Sequence, residues 1–436
     1  MDKEAVNSHA TNFHKNDPKF DAHTKVRDIQ KTTAIALLDE LGLKGEASEH
    51  IDIIVGGPPC QAFTRIGRAK LRQVLSDEEA FLNDPRGQLY KKYLKYVQQL
   101  QPLAILMENV PDFMNYGGVN IADLVCKDLT KNGYNCRYTL LNSVYYGVPQ
   151  MRERMFLIAV HQSVKKEIKF PSPTHYIELP KGYYGSRSVA LKNIKSGVSS
   201  NYYVAAEKPE KTLLPAITAQ QATADLPEMY SHLNKEIKRG IKKVTQELPY
   251  RKNAFNEYQK VMRAWPGFES REQVSGNVIR ILPRDYPIFK KMKSGDQYPE
   301  AVKVAKNLLA HKIKKENKKT GKLISLKSQR YQELLKETIP PYDVKKFPNK
   351  WRKMEANKPA RTLMAHLGKD SYSHIHYDSD QARTISVREA ARLQSFPDGF
   401  FFSGAMNAAF RQIGNAVPPL MAEKIAISIK NILSNS

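Results

Sequence analysis

Apolar and polar positions along this chain fall into blocks that predict a sheet covered by helices. Ile51-Asp52-Ile53-Ile54-Val55 is a short run rich in β-branched residues, the pattern of a buried strand. Gly56-Gly57-Pro58-Pro59 follows, and such a tetrapeptide neither extends a strand nor opens a helix, so the chain must turn there. Leu89, Tyr93, Val97 and Leu100 recur at helical spacing until Pro102, which stops the helix. Leu103–Met107 then reads as a second strand. A strand, a helix and a strand in this order make a parallel βαβ unit. Asp123 to Lys131 predicts another helix closed by Gly133, and Tyr138–Leu141 and Met155–Val160 predict two more strands, with an antiparallel edge. Near the amino end, Met1 to Asn12 and Gln30 to Leu41 read as helices, with Asp28 placed to cap the second. Ser386-Val387-Arg388-Glu389 is a capping box, and the helix it opens ends at Phe396-Pro397. Ile425, Ile429, Ile432 and Leu433 make a last amphipathic helix. The predicted class is α/β, a doubly wound sheet.

Composition narrows the class. A chain of 436 residues with 41% hydrophobic residues supports two domains with real cores. No apolar run is long enough to cross a membrane, and no signal-peptide pattern opens the chain. Cys60, Cys126 and Cys136 are the three cysteines and form no CxxC pair. They point to a reducing, cytoplasmic setting without structural zinc. The net charge of +25 favours a polyanionic partner, most simply nucleic acid. From about Lys235 the pattern becomes irregular. Eight lysines, Lys303, Lys306, Lys312, Lys314, Lys315, Lys318, Lys319 and Lys322, crowd one short span, with Tyr and Phe nearby. A solvated insertion explains that cluster as well as a nucleic-acid surface does.

The turn after the first strand continues into Cys60-Gln61, so a cysteine stands just beyond a strand end, where open α/β sheets bind ligands. Pro59-Cys60-Gln61 resembles the nucleophile loop of the DNA (cytosine-5) methyltransferases. Four further matches follow in that family's order: Glu108-Asn109-Val110; Gln150-Met151-Arg152-Glu153-Arg154; Arg388 to Pro397; and Gln412-Ile413-Gly414-Asn415-Ala416-Val417-Pro418-Pro419. The resemblance, to the bacterial modification type, implies a Rossmann-like methyltransferase sheet with a smaller basic target-recognition domain. It implies a catalytic domain over 1–235, a target-recognition domain over 236–375 and a return to the catalytic domain over 376–436. The family's Phe-x-Gly-x-Gly loop, which wraps the methionine end of S-adenosylmethionine, has no counterpart here. The sheet is therefore expected to lack its first strand, or to receive it from another polypeptide.

The chemistry implied is methyl transfer from S-adenosylmethionine to carbon 5 of cytosine in duplex DNA. That carbon is a poor nucleophile until a thiolate adds at carbon 6, and Cys60 is the cysteine with a context for it. Glu108, at a strand end, is the expected acid for ring nitrogen 3, kept protonated by desolvation. Arg152 and Arg154, two apart in extended chain, are expected to point the same way and hold the base carbonyl and a phosphate. The resemblance gives Asp28, Pro58, Asn415 and Ala416 to the cofactor, although Asp28 reads equally as an ordinary cap. Gln61, Thr64 and Gln150 are candidate DNA contacts. Gln61 and the acidic stretch 76–83 are candidate fillers of the space left by a flipped base. His366, His374, His376, Asp370 and Asp378 form a metal-like set, but no metal is expected. A restriction endonuclease is an expected companion. Two alternatives stay open: an inactive or split DNA-binding subunit, and a transfer-RNA cytosine-5 methyltransferase.

Overall fold

The computed structural model describes residues 2–58, 89–116, 118–195, 201–234, 244–348 and 350–434. They divide into two compact units, residues 1–216 with 417–436, and residues 217–416.

The first unit opens with helix α1 (Lys3–Phe13), capped by the Asp2 carboxylate, and helix α2 (Ala34–Glu40), capped by the Thr33 hydroxyl. Asp28 therefore is not the cap. Its carboxylate accepts from the Gln30 N–H at 3.0 Å, and its carbonyl accepts from Lys31 and Thr32. That closes a turn before the helix, and Thr33 takes the cap because it directly precedes the first helical residue. Strand β1 (Ile53–Gly56), helix α3 (Leu89–Leu100), strand β2 (Ala104–Asn109), helix α4 (Ile121–Lys131) and strands β3 (Tyr134–Asn142) and β4 (Glu153–His161) follow. The sheet order is β1-β2-β4-β3. β1 and β2 run parallel, as a strand–helix–strand unit requires. β4 lies antiparallel to both β2 and β3. The antiparallel strand is thus interior rather than an edge, because β3 reaches the sheet only through it.

Alternation along the strands sends side chains to two faces. Ile105, Met107, Leu157 and Ala159 pack with Tyr93 and Val97 of α3 and Val125 and Leu129 of α4. Ala104, Phe156, Ile158 and Val160 pack with Met421, Ile425, Ile429 and Ile432 of the helix Pro419–Leu433. Helices on both faces make the sheet doubly wound. β1 fits only because residue 56 lacks a side chain: a Cβ on Gly56 would lie 2.3 Å from the Tyr93 ring. On its other side β1 has no partner strand among the described residues, and Val55 is 70% exposed.

The second unit includes helices α5 (Ala219–Thr223), α6 (Tyr298–Thr320), α7 (Gln329–Thr338), α8 (Val387–Leu393) and α9 (Met406–Asn415). One core gathers Phe289, Tyr298, Trp351, Tyr372 and Ile375; the Trp351 and Tyr372 rings stack with centroids 4.7 Å apart. The unit runs from 217 to 416, and α8 buries its charges inside it. Arg392, fully buried, bonds Asp225 at 3.0 Å and Asp398 at 2.5 Å. The predicted capping box at Ser386 and Glu389 is present, and the same Glu389 pairs with Arg383 at 2.7 Å. The irregularity expected after Lys235 is interrupted by α6, a helix of 23 residues.

Candidate active site

The site grows from the carboxyl ends of β1 and β2. Parallel register sets Gly56 beside Met107, so Gly57-Pro58 and Glu108-Asn109 leave the sheet together. Asn109, 1% exposed, donates from its side-chain amide to the Pro58 carbonyl at 3.1 Å. Its own oxygen accepts from Val110 N–H at 2.9 Å. The side chain thus fastens the start of the turn toward Cys60 to the end of the neighbouring strand. Pro58 is buried. A Cβ at Gly57 would meet the Glu108 carboxylate at 3.5 Å, so the turn passes directly over that group.

β4 supplies the cation. Glu108 lies opposite Phe156 in the antiparallel register, and Arg154 reaches Glu108 with its Nε at 2.9 Å. The two side chains are 18% and 14% exposed. The carboxyl expected to be kept protonated by desolvation thus lies, mostly buried, against a guanidinium. Arg154 also donates from Nη1 to the Glu153 carbonyl at 2.7 Å, which fixes the guanidinium plane. Arg152 is 2% exposed, and its carbonyl accepts from Ser143 N–H at 2.9 Å. Gln150 is fully buried, and its carbonyl accepts from the Ser143 hydroxyl at 2.7 Å. Glu153, missed by the sequence reading, pairs with Arg187. Burial raises its carboxyl despite Arg187 and Arg154.

Glu108, Asn109, Gly57, Pro58 and Arg154 therefore come together in the first unit. Cys60, Gln61, Thr64 and the stretch 76–83 lie outside the described residues. Asp28 is half-buried in the turn before α2. Asn415 and Ala416 belong to the second unit, where Asn415 is exposed at the end of α9. Gly414 beside it is needed for close packing, since a Cβ there would lie 2.4 Å from Ala365 N.

The histidines have structural partners. His374 bonds the Ser373 hydroxyl at 2.9 Å and the Arg361 carbonyl at 3.2 Å, and burial pushes its pKa down to about 4 against the raising effect of that carbonyl. His376 meets Glu389 at 3.2 Å. His14, Asp17 and His23 form a cluster that could hold a metal ion. The two imidazoles stack face to face, 3.6 Å apart and 4° from parallel, so their in-plane lone pairs run side by side rather than converging. Cys126 and Cys136 are buried against each other with sulfurs 2.6 Å apart.

Comparison with known proteins gives this geometry a family. The model of the C-5 cytosine-specific DNA methylases matches residues 1–431. M.OihORF3336P of Oceanobacillus iheyensis, which bears a type II methyltransferase name, is 41% identical over 433 residues, covering 99% of this chain and 89% of its own. The type II methyltransferase M.AgeI of Thalassovita gelatinovora is 29% identical over 436 residues, covering 95% and 90%. The crystal structure of an E. coli prophage-encoded protein, described as a DNA modification methyltransferase, superposes with a TM-score of 0.58 at 20% identity. It covers 99% of this chain and 91% of the other, and it supports the fold. No described helix is long and apolar enough to cross a membrane. The alternatives of an RNA enzyme and a non-catalytic subunit receive no support from these relatives. The chain belongs to the C-5 cytosine-specific DNA methylase family and is a DNA (cytosine-5)-methyltransferase.

Proposed function

We propose that the chain methylates cytosine within a specific duplex DNA sequence, with S-adenosylmethionine as methyl donor and Cys60 as covalent nucleophile. The observation that carries this reading is the Glu108–Arg154 pair, 2.9 Å apart, directly under the Gly57-Pro58 turn that leads to Cys60. The target carbon is out of reach inside a duplex, so the base is flipped out. Its arrival exchanges partners: Arg154 passes from Glu108 to the ring carbonyl, and Glu108, which takes up a proton once it loses the guanidinium, donates that proton to ring nitrogen 3 as Cys60 adds. The Cys60 thiolate forms a bond to carbon 6, and density moves to carbon 5. Bound S-adenosylmethionine supplies an electrophilic methyl there. Loss of the carbon 5 proton then expels Cys60 and restores the ring.

The donor set fits an adenosyl group in part. Asp28 is half-buried, and one carboxylate oxygen already accepts from Gln30, while the other has no hydrogen bond among the described residues and suits an amino N–H. Pro58 would pack on the cofactor, and Asn415 and Ala416 would line its methionine side. The open edge of β1 is suited to one more strand, bearing a glycine loop that lets backbone N–H groups approach the cofactor. We propose that another segment supplies it. Calorimetry with S-adenosylmethionine tests this: the 436-residue chain should bind weaker than micromolar, and micromolar binding by that chain alone would refute it. A restriction endonuclease of matching specificity is the proposed companion, and residues of the second unit the proposed readers of sequence.

The central test uses duplex DNA carrying 5-fluorocytosine, which blocks loss of the carbon 5 proton and traps the adduct. The wild-type chain should be trapped, and Cys60→Ser should bind DNA without trapping. A trapped adduct in Cys60→Ser would end the claim.

A further inference from the structure

Helices α6 and α7 of the second unit form a hairpin with an unusual balance of charge. From Tyr298 to Thr338 it holds eleven Lys and Arg against four Glu. Three of the acids are engaged. Glu300 completes a capping box with Gln297. Glu316 accepts from Arg330 at 2.7 and 2.9 Å, and Glu333 accepts from Arg330 at 3.0 Å. Lys303, Lys306, Lys314 and Lys318 are exposed and have no hydrogen bond or ion pair among the described residues.

At 100° per residue these four fall within an arc of about 120°. That arc lies opposite Ala301, Ala305 and Leu309, which are buried. A rise of 1.5 Å per residue puts Lys303 and Lys318 about 22 Å apart along the axis, matching about six phosphates of one DNA strand at about 3.4 Å each. Beyond Leu309 no residue of α6 is buried, and its last turns are tied to α7 through Arg330 and through Lys312, whose Nζ meets the Thr338 hydroxyl at 2.9 Å, and to the joining segment through Asn317, which accepts from Ile324 N–H at 3.0 Å. A rigid row of unpaired ammonium groups repels itself and is relieved by a polyanion of like length.

We infer that this hairpin is a rail for the sugar-phosphate backbone of duplex DNA, contributing affinity and not sequence choice. The inference rests on the reading of the chain as an enzyme of duplex DNA. Lysine ammonium groups act as point charges suited to phosphate; a lysine can also reach a guanine edge, but no Arg, Asn or Gln, the side chains whose planar groups pair bidentately with bases, stands among these four positions.

The experiment is fluorescence anisotropy with the full chain, using a 30-base-pair duplex of random sequence and, separately, transfer RNA, from 50 to 300 mM KCl. The variant is K303Q/K306Q/K314Q/K318Q. A control, K44Q/K131Q/K165Q/K169Q, makes the same charge change at exposed lysines of the first unit. Far-UV circular dichroism confirms that both fold; Gln is as good a helix former as Lys. On the duplex, the slope of log affinity against log salt should shrink by about 3 to 4 in the variant and by about 1 or less in the control. An unchanged slope in the variant, or an equal loss in the control, overturns the rail, and a loss confined to transfer RNA overturns the duplex assignment. Methyl incorporation into DNA by the wild-type chain tests the underlying reading separately. Methylation with an unchanged variant slope removes the rail alone. A variant slope loss without any methylation leaves the rail and removes the duplex-methylation reading.

Discussion

Replacing Arg154 by Ala separates its place in the fold from its place in the chemistry. Its bond to Glu108 is partly exposed on both sides, and such pairs are worth about 1 kcal/mol or less. Arg154→Ala should therefore shift the denaturation midpoint little, yet lower kcat by about 10- to 100-fold, a loss of about 1.4 to 2.7 kcal/mol of transition-state stabilisation. Glu108→Gln should cost more, about 100- to 10,000-fold, the usual range for a lost general acid. Single-turnover methylation with labelled cofactor measures both. A stability loss in Arg154→Ala as large as its kinetic loss would show a merely structural group. Family-like motifs in the sequence pointed to Glu108 and Arg154, which the structure sets side by side. The sequence did not reveal the ion pair. That contact depends on β4 lying antiparallel beside β2, a pairing between residues nearly fifty positions apart. Asn109 was legible only as part of a motif; its role as a tie to Pro58 follows from the parallel register of β1 and β2.

Among the elements, α8 combines local legibility with tertiary surprise. Its capping box was readable from four residues, and its Ala390, Ala391 and Leu393 are buried as their spacing implied. Nothing in its sequence shows that Arg392 is also fully buried between two aspartates, since Asp225 comes from a distant segment and Asp398 is brought back only by the turn after the helix. Arg392→Leu should destabilise the second unit by about 3 to 5 kcal/mol, because Asp225 and Asp398 lose a buried counter-charge; urea denaturation would read it. α6 escaped for a different reason. Its buried stripe is short and half alanine, too weak an apolar signal to stand out among lysines. The same unit should be acid-sensitive. Unfolded, His374 takes a proton near pH 6.5; folded, it takes one only near 4. Between those values the unfolded state binds more protons, so stability falls as pH falls from 6.5 to 4, by about 3 kcal/mol for this group. Burial also tends to raise the Glu389 carboxyl, but Arg383 and His376 outweigh it and hold it well below the carboxylate range. Its contribution is present above its unfolded pKa and is lost on further acidification. His374→Gln should flatten the stability profile between pH 6.5 and 4; an unchanged slope would count against the assignment.

For the whole molecule, one piece of connectivity governs how it can be made. The helix Pro419–Leu433 covers the sheet face formed by Ala104, Phe156, Ile158 and Val160, yet the last of those strands ends at His161. About 260 residues separate the two, and at roughly 5 to 20 residues per second the ribosome needs about 13 to 50 s to bridge them. By the end of that interval the second unit is complete in sequence and free to fold, while one side of the first unit's sheet still waits uncovered. Nascent chains arrested after Ala416 should accordingly show a protease-resistant 217–416 segment beside a labile 89–161 segment, and release of the full chain should protect both. The unit made later would then be finished first, and the strands made earlier would depend on a holdase for about 13 to 50 s.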